Sequence, residues 1–209
     1  MESPETTVEA DHCPMSPESL EAFVNHGARR FILGVQSLDP ALAAFLGQRR
    51  DREGLASAVS SLRRLGVRHL RFDVTAGYPG QTIESFIGDI QFLISLGPEA
   101  ILLRPFSPAA YPPLHAASKI LRPSRHSFSL RQALLRRRML EAGHGLIDRA
   151  GMGSFVSEDW CGNFGSQLCL GFGSLSRVRR ALLYRNGTDY QQYRDRLSRG
   201  EPPVVLGYP

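Results

Sequence analysis

The sequence predicts an α/β fold built on a parallel sheet, and three observations carry that expectation. Apolar, strand-like segments alternate with amphipathic helical ones through the first two-thirds of the 209 residues. One grammar recurs: a helix closed by a glycine, about three residues, then an apolar strand, with the glycines at Gly27, Gly66 and Gly97. The strands are rich in Val, Ile, Leu and Phe, as expected where helices cover a sheet.

The elements follow in order. TTVEAD (6–11) is a short β-branched strand, and SPESLEAFVNHG after it is a helix. Ser16 suits the N-cap, Pro17 the first turn, and Leu20, Phe23 and Val24 form the apolar stripe that Gly27 terminates. RRFILGVQS (29–37) is the second strand. A helix with Leu55, Val59 and Leu62 at helical spacing then runs to Gly66. HLRFDVTAG is the third strand, and Thr82 caps a helix with Phe86, Ile90, Leu93 and Ile94 on one face. AILLRPF (100–106) is the fourth strand. Beyond it, FSPAAYPPLHAAS reads as a loop, SLRQALLRRRMLEAG (129–143) as a basic helix, and the glycine-clustered tail as short strands or turns. These features place a boundary near residue 125, dividing a 1–125 α/β region from a 126–209 accessory region.

Composition narrows the class. Hydrophobic residues make up 42% and charged residues 22%, which is globular and argues against disorder. The net charge of +5 is carried almost wholly by arginine, Lys119 being the one lysine. Arginine suits bidentate recognition of phosphate or carboxylate. No apolar run approaches the roughly 20 residues that span a bilayer. MESPETTVEADHC lacks the basic and apolar regions of a signal peptide. With three cysteines, an odd number, the expectation is a reducing, cytoplasmic setting.

Polar residues fall late in successive strands: Glu9, Gln36 and Asp73, with Arg104 and Ser107 around the end of the fourth. In parallel α/β folds the C-terminal strand ends form the ligand face. One such residue would be noise, but a series predicts a lined cleft.

The ordered set VEAD, GARRFILGVQSLD and FDVTAGYPGQTIESF resembles the radical S-adenosylmethionine (SAM) family of oxygen-independent coproporphyrinogen III oxidases and their relatives. The family's motifs appear here as Gly27, Arg30 and Gly34-Val35-Gln36-Ser37, then Asp73, Gly77, Pro79, Gln81 and Thr82. The likeness covers residues 5 to 107 and returns more weakly at LCLGFGSLS (168–176). It implies half of a β/α barrel, with SAM held by Glu9 at its ribose or amino-acid portion and by Gln36 and Asp73 facing the cleft. Ser107 lies where a further SAM-contacting position falls. Where the family carries an arginine after the glutamine, this chain has Gln48, and His12 stands in place of a proline.

The resemblance also implies a [4Fe–4S] cluster on a Cys-x-x-x-Cys-x-x-Cys loop, which reduces SAM to a 5′-deoxyadenosyl radical. Cys13, Cys161 and Cys169 cannot make that loop, being 148 and 8 positions apart, and the family's Gly-Gly-x-Pro strand is absent as well. Four parallel strands do not close a barrel and leave open edges. The expectation is therefore the C-terminal portion of such an oxidoreductase, beginning at an element boundary. Its alternatives are a non-catalytic SAM- or tetrapyrrole-binding module and one half of a split enzyme completed by a partner chain carrying the cysteine loop.

The remaining features have plainer readings. Asp11-His12-Cys13 do not converge on one point as metal ligands. Cys161 and Cys169 read as buried thiols, and Arg136-Arg137-Arg138 as a solvated basic face with no aromatic ladder to suggest nucleic acid. Trp160, Tyr184, Tyr190 and Tyr193 read as packing residues rather than a substrate pocket.

Overall fold

A computed structural model describes residues 6–10, 16–45, 52–106, 130–155, 166–171, 174–178 and 182–208. The chain forms two compact units, Met1–Ser157 and Glu158–Pro209.

The first unit carries strands β1 (Thr6–Ala10), β2 (Ala28–Gln36), β3 (His69–Ala76), β4 (Ala100–Pro105) and β5 (Gly153–Phe155). Its helices are α1 (Pro17–Asn25), α2 (Pro40–Phe45), α3 (Arg52–Arg64), α4 (Ile83–Ser95) and α5 (Leu130–Arg149). All five strands are parallel and lie in chain order, β1-β2-β3-β4-β5. A doubly wound sheet reverses its order at a switch point, whereas a β/α barrel advances strand by strand. This sheet advances, as an arc of a barrel does.

Alternation along the strands sorts their side chains onto two faces. Phe31, Leu33 and Val35 of β2, Leu70, Phe72 and Val74 of β3, and Ile101 and Leu103 of β4 share one core with Leu20, Leu62, Phe86, Ile90, Met139 and Ile147 of the helices. The opposite face is defined by register: Glu9 pairs with Ile32, Ile32 with Arg71, and Arg71 with Ala100. Gly34 likewise pairs with Asp73, Asp73 with Leu102, and Thr75 with Arg104. One side of the sheet is thus apolar and covered by helices, and the other carries most of the polar strand residues.

The caps form as expected: Ser16 Oγ accepts from Ser19 N, and Thr82 Oγ1 from Ser85 N. Gly27, Gly66 and Gly97 all have positive φ. Helix α2 was not anticipated, although Asp39 before Pro40 is an N-cap signal; Asp39 Oδ1 accepts from Leu42 N at 3.1 Å.

Two expectations change. The parallel sheet has five strands rather than four, and residues 130–155 belong to the first unit, so the division falls at Ser157/Glu158 and not near 125. The reason is the underside of α5. Met139, Gly143 and Ile147, four residues apart, are buried, and a Cβ on Gly143 would lie 2.7 Å from Leu103 and 3.0 Å from Phe86. The arginines of 136–138 mask that stripe in the sequence.

The second unit is an antiparallel sheet of β6 (Ser166–Gln167), β7 (Leu175–Val178), β8 (Leu182–Asn186) and β9 (Val204–Tyr208), with helix α6 (Tyr190–Ser198). Buried Asn186 donates from Nδ2 to the carbonyl of Gly171 at 3.0 Å and to Ser174 Oγ at 3.0 Å. Those bonds shape the glycine-rich turn that the sequence singles out. Among the tyrosines, Tyr190 is exposed while Tyr184 and Tyr193 are half-buried. Trp160, Cys13, Cys161 and the 11–13 triplet lie outside the described residues.

Candidate functional site

The site grows from the C-terminal halves of β2, β3 and β4 on the face away from the helices. Strand β2 carries a bulge, with Gly34 opposite Asp73 and Gln36 opposite Val74. Gln36 itself has φ +27°, the one positive-φ residue besides glycine among those described. Backbone in that region persists only where surrounding contacts hold it. Here Gln36 Oε1 accepts from Thr75 Oγ1 at 3.1 Å and from the Tyr78 hydroxyl. The bulge, the threonine and the tyrosine together fix the orientation of the amide at the strand end.

Tyr78 ties this corner to the next strand. Its ring lies 4.8 Å from that of Phe106, and Leu42 completes a small apolar cluster with them. The turn Gly77-Tyr78-Pro79-Gly80 is held by Gln81, whose Oε1 accepts from the backbone N–H of Gly77 at 2.7 Å and of Tyr78 at 3.2 Å. Gln81 is 6% exposed, and its Nε2 is buried with no hydrogen-bond partner among the described residues.

Asp73 is the electrostatic centre. Arg71, two residues earlier on the same face, donates from Nε to Oδ1 at 2.7 Å and from Nη2 to Oδ2 at 3.2 Å. Arg104 of β4 donates from Nη2 to Oδ2 at 3.1 Å. The side chains of Arg71, Asp73 and Arg104 are 4%, 13% and 47% exposed, so the triad runs from buried to open. The sequence predicts Asp73 as an acceptor facing a cleft; the structure adds two guanidiniums that already use much of its acceptor capacity.

A second carboxylate braces the site from behind. Buried Asp89 of α4 accepts at Oδ2 from Ser37 Oγ and from Leu38 N, both at 2.9 Å, and lies 3.4 Å from Arg52 Nη2. Burial raises its pKa above the usual carboxylate value, opposed by those hydrogen bonds and by Arg52. It pins the chain just past Gln36 onto α4. Nothing in the sequence pattern separates Asp89 from a solvent-facing helical aspartate.

The other expected residues fare unequally. Glu9 is exposed on β1 and shares the polar face, but β2 lies between it and Asp73. Ser107 lies outside the described residues. Arg136 is no solvated residue: its Nη1 donates to the Phe106 carbonyl at 2.8 Å, while exposed Arg137 pairs with Glu141.

A segment of 97 residues is 32% identical to an oxygen-independent coproporphyrinogen III oxidase of Bradyrhizobium diazoefficiens. The chain is homologous to part of that enzyme. The match takes in 46% of this chain and 22% of the oxidase. A heme chaperone HemW of Lactococcus lactis is 28% identical over 92 residues, 44% of this chain and 24% of the chaperone. The chain thus matches about a quarter of the length of these relatives. In fold it is similar to the coproporphyrinogen III oxidase HemN of Escherichia coli, described as a radical SAM enzyme, with a TM-score of 0.72 and 17% identity. That likeness covers 98% of this chain and 51% of the other. It shows the fold, a partial β/α barrel. No family model matches the chain.

SAM and a [4Fe–4S] cluster are the groups that the sequence resemblance implies. The residues present do not fit the cluster: the cysteine spacing is wrong, and no group of three His, Cys, Asp or Glu side chains converges among the described residues. A polar, partly open strand-end face with an oriented amide and a carboxylate does fit a nucleoside such as SAM. No helix among the described residues is long and apolar enough to cross a membrane.

Proposed function

We propose that this chain forms the SAM-facing and substrate-facing wall of a coproporphyrinogen-oxidase-like radical SAM oxidoreductase. The observation that carries the reading is Gln36, held at positive φ by Thr75 and Tyr78 on the strand next to that of Asp73, within the motifs by which the sequence resembles the oxidases. Gln36 would orient the nucleoside, the remaining acceptor capacity of Asp73 would take a hydroxyl, and Glu9 would act from the neighbouring strand. Ser107 is assigned to the same wall through the family motif alone. Gln36, Asp73 and Glu9 would hold SAM, which would supply radical chemistry only beside a cluster whose ligands come from elsewhere.

The cysteine pattern favours a second reading alongside the first. The cleft either binds SAM or a tetrapyrrole without catalysis, or it is completed by a partner chain carrying the cysteine loop, in the cytoplasm. Strand β1 ends the five-stranded sheet and offers the edge such a partner would extend.

Titration calorimetry with S-adenosylhomocysteine, a stable SAM analogue, tests the wall. The unmodified chain should bind, and Gln36→Ala should weaken binding about tenfold, as loss of an orienting hydrogen-bonding group does. Equal binding by the two proteins would remove Gln36 from the cleft, and no binding by either would remove the SAM reading.

A further inference from the structure

The arginine pair on Asp73 gives the strand-end face cationic donors, which the Gln36 amide and the Asp73 carboxylate do not supply. Two guanidiniums meet one carboxylate here, in a setting less screened than bulk solvent. Asp73 is held chiefly by buried Arg71, which contacts both of its oxygens. That pair is a fixed platform, and Arg104 rests on its outer edge. Of the five N–H donors on a guanidinium, Arg104 gives one to Asp73, leaving four. It is nearly half exposed, on the polar face rather than among the helices, and its ordering entropy is partly met before any ligand arrives.

We infer that Arg104 is an oxyanion-recognition residue and that Asp73 and Arg71 serve to position it. The ligand of this cleft carries a carboxylate or phosphate group, which Arg104 engages through its outward donors. The inference deepens the wall reading and rests on it for where the ligand sits. It also changes the role of Asp73 from a ribose acceptor foremost to a positioning residue. An ordinary surface ion pair would not show a buried second arginine on the same carboxylate.

The test uses the full chain with two anionic probes: coproporphyrin III, a tetracarboxylate followed by its fluorescence, and inorganic pyrophosphate, followed by calorimetry. Coproporphyrin III tetramethyl ester, which has no free carboxylate, is the control for apolar binding. Arg104→Gln should weaken the responsive anion about tenfold or more, leave the ester unchanged and leave the unfolding midpoint unmoved. Arg104→Lys, which keeps the charge but loses the planar fork, should fall between. Arg138→Gln, an exposed arginine elsewhere, should bind as the unmodified chain does. The probe that responds tells a carboxylate ligand from a phosphate one. Unchanged affinity in Arg104→Gln, an equal loss in Arg138→Gln, or silence of the unmodified chain toward both anions each overturns the inference. S-adenosylhomocysteine binding, measured in parallel, keeps the two readings apart. Loss of that binding with anion binding intact sinks the cofactor reading alone, and the reverse sinks this one alone.

Discussion

At the scale of single residues, the carboxylates Asp73 and Asp89 show how environment divides chemically identical groups. Asp73 sits between two guanidiniums at the strand ends, while Asp89 is buried beneath the loop it pins. Asp89 also gives a pH signature. Burial raises its folded pKa above its ordinary value of 3.8, so the folded state holds that proton more tightly than the unfolded chain does. Its contribution to stability is full below the ordinary value and is lost as pH rises through the folded one. Asp89→Asn cannot titrate, so the variant should gain stability relative to the unmodified chain as pH is raised from below 3.8 toward neutrality, then hold level. Urea unfolding at stepped pH measures the difference, and a gap that does not change with pH would refute this role. Apart from Arg71, two residues before Asp73, these partners are distant in the chain: Arg104 lies 31 residues from Asp73, and Ser37 lies 52 from Asp89. The sequence could mark Asp73 as unusual, because an acidic residue interrupts an apolar strand, but it could not show what meets it.

At the scale of elements, the turn between β3 and α4 concentrates several constraints in few residues. Gly77 has φ +89° and Gly80 φ +84°, conformations that cost a residue with a side chain about 1–2 kcal/mol. Only Gly77 faces a neighbour closely: a Cβ there would sit 1.9 Å from Cγ of Arg136, whereas one on Gly80 would meet nothing within 4 Å. Gly80→Ala should therefore cost about 1 kcal/mol and Gly77→Ala about 1–2 kcal/mol more, because α5 must give way or Arg136 must leave the Phe106 carbonyl. Guanidinium denaturation of both variants makes the comparison, and equal losses would show that Arg136 moves aside freely. The caps, the helix-closing glycines and the strand alternation were legible because each rests on near neighbours in the chain. Helix α5 was legible as a helix but not as part of the barrel arc, since its arginines outweigh the narrow stripe of Met139, Gly143 and Ile147 in any local view.

At the scale of the whole molecule, the cysteine pattern bears on cluster binding: Cys13, Cys161 and Cys169 do not spell a Cys-x-x-x-Cys-x-x-Cys loop. Anaerobic reconstitution of the 209-residue chain with iron and sulfide should give far fewer than about four irons per chain, the content of a [4Fe–4S] cluster. A stoichiometric cluster with its characteristic absorption would overturn the reading of the cysteines. The sequence by itself determined the parallel α/β class, the order of strands and helices, the likeness to coproporphyrinogen III oxidases and the polar character of the strand ends. Those follow from periodicity, backbone preference and motif order, all of which are written along the chain. The tertiary structure alone decided that α5 and a fifth strand join the sheet, that Gln36 is held at positive φ, and that Asp73 serves two arginines. Those depend on strand register and on side chains meeting across 31 to 52 residues, a geometry that packing sets and local sequence does not encode.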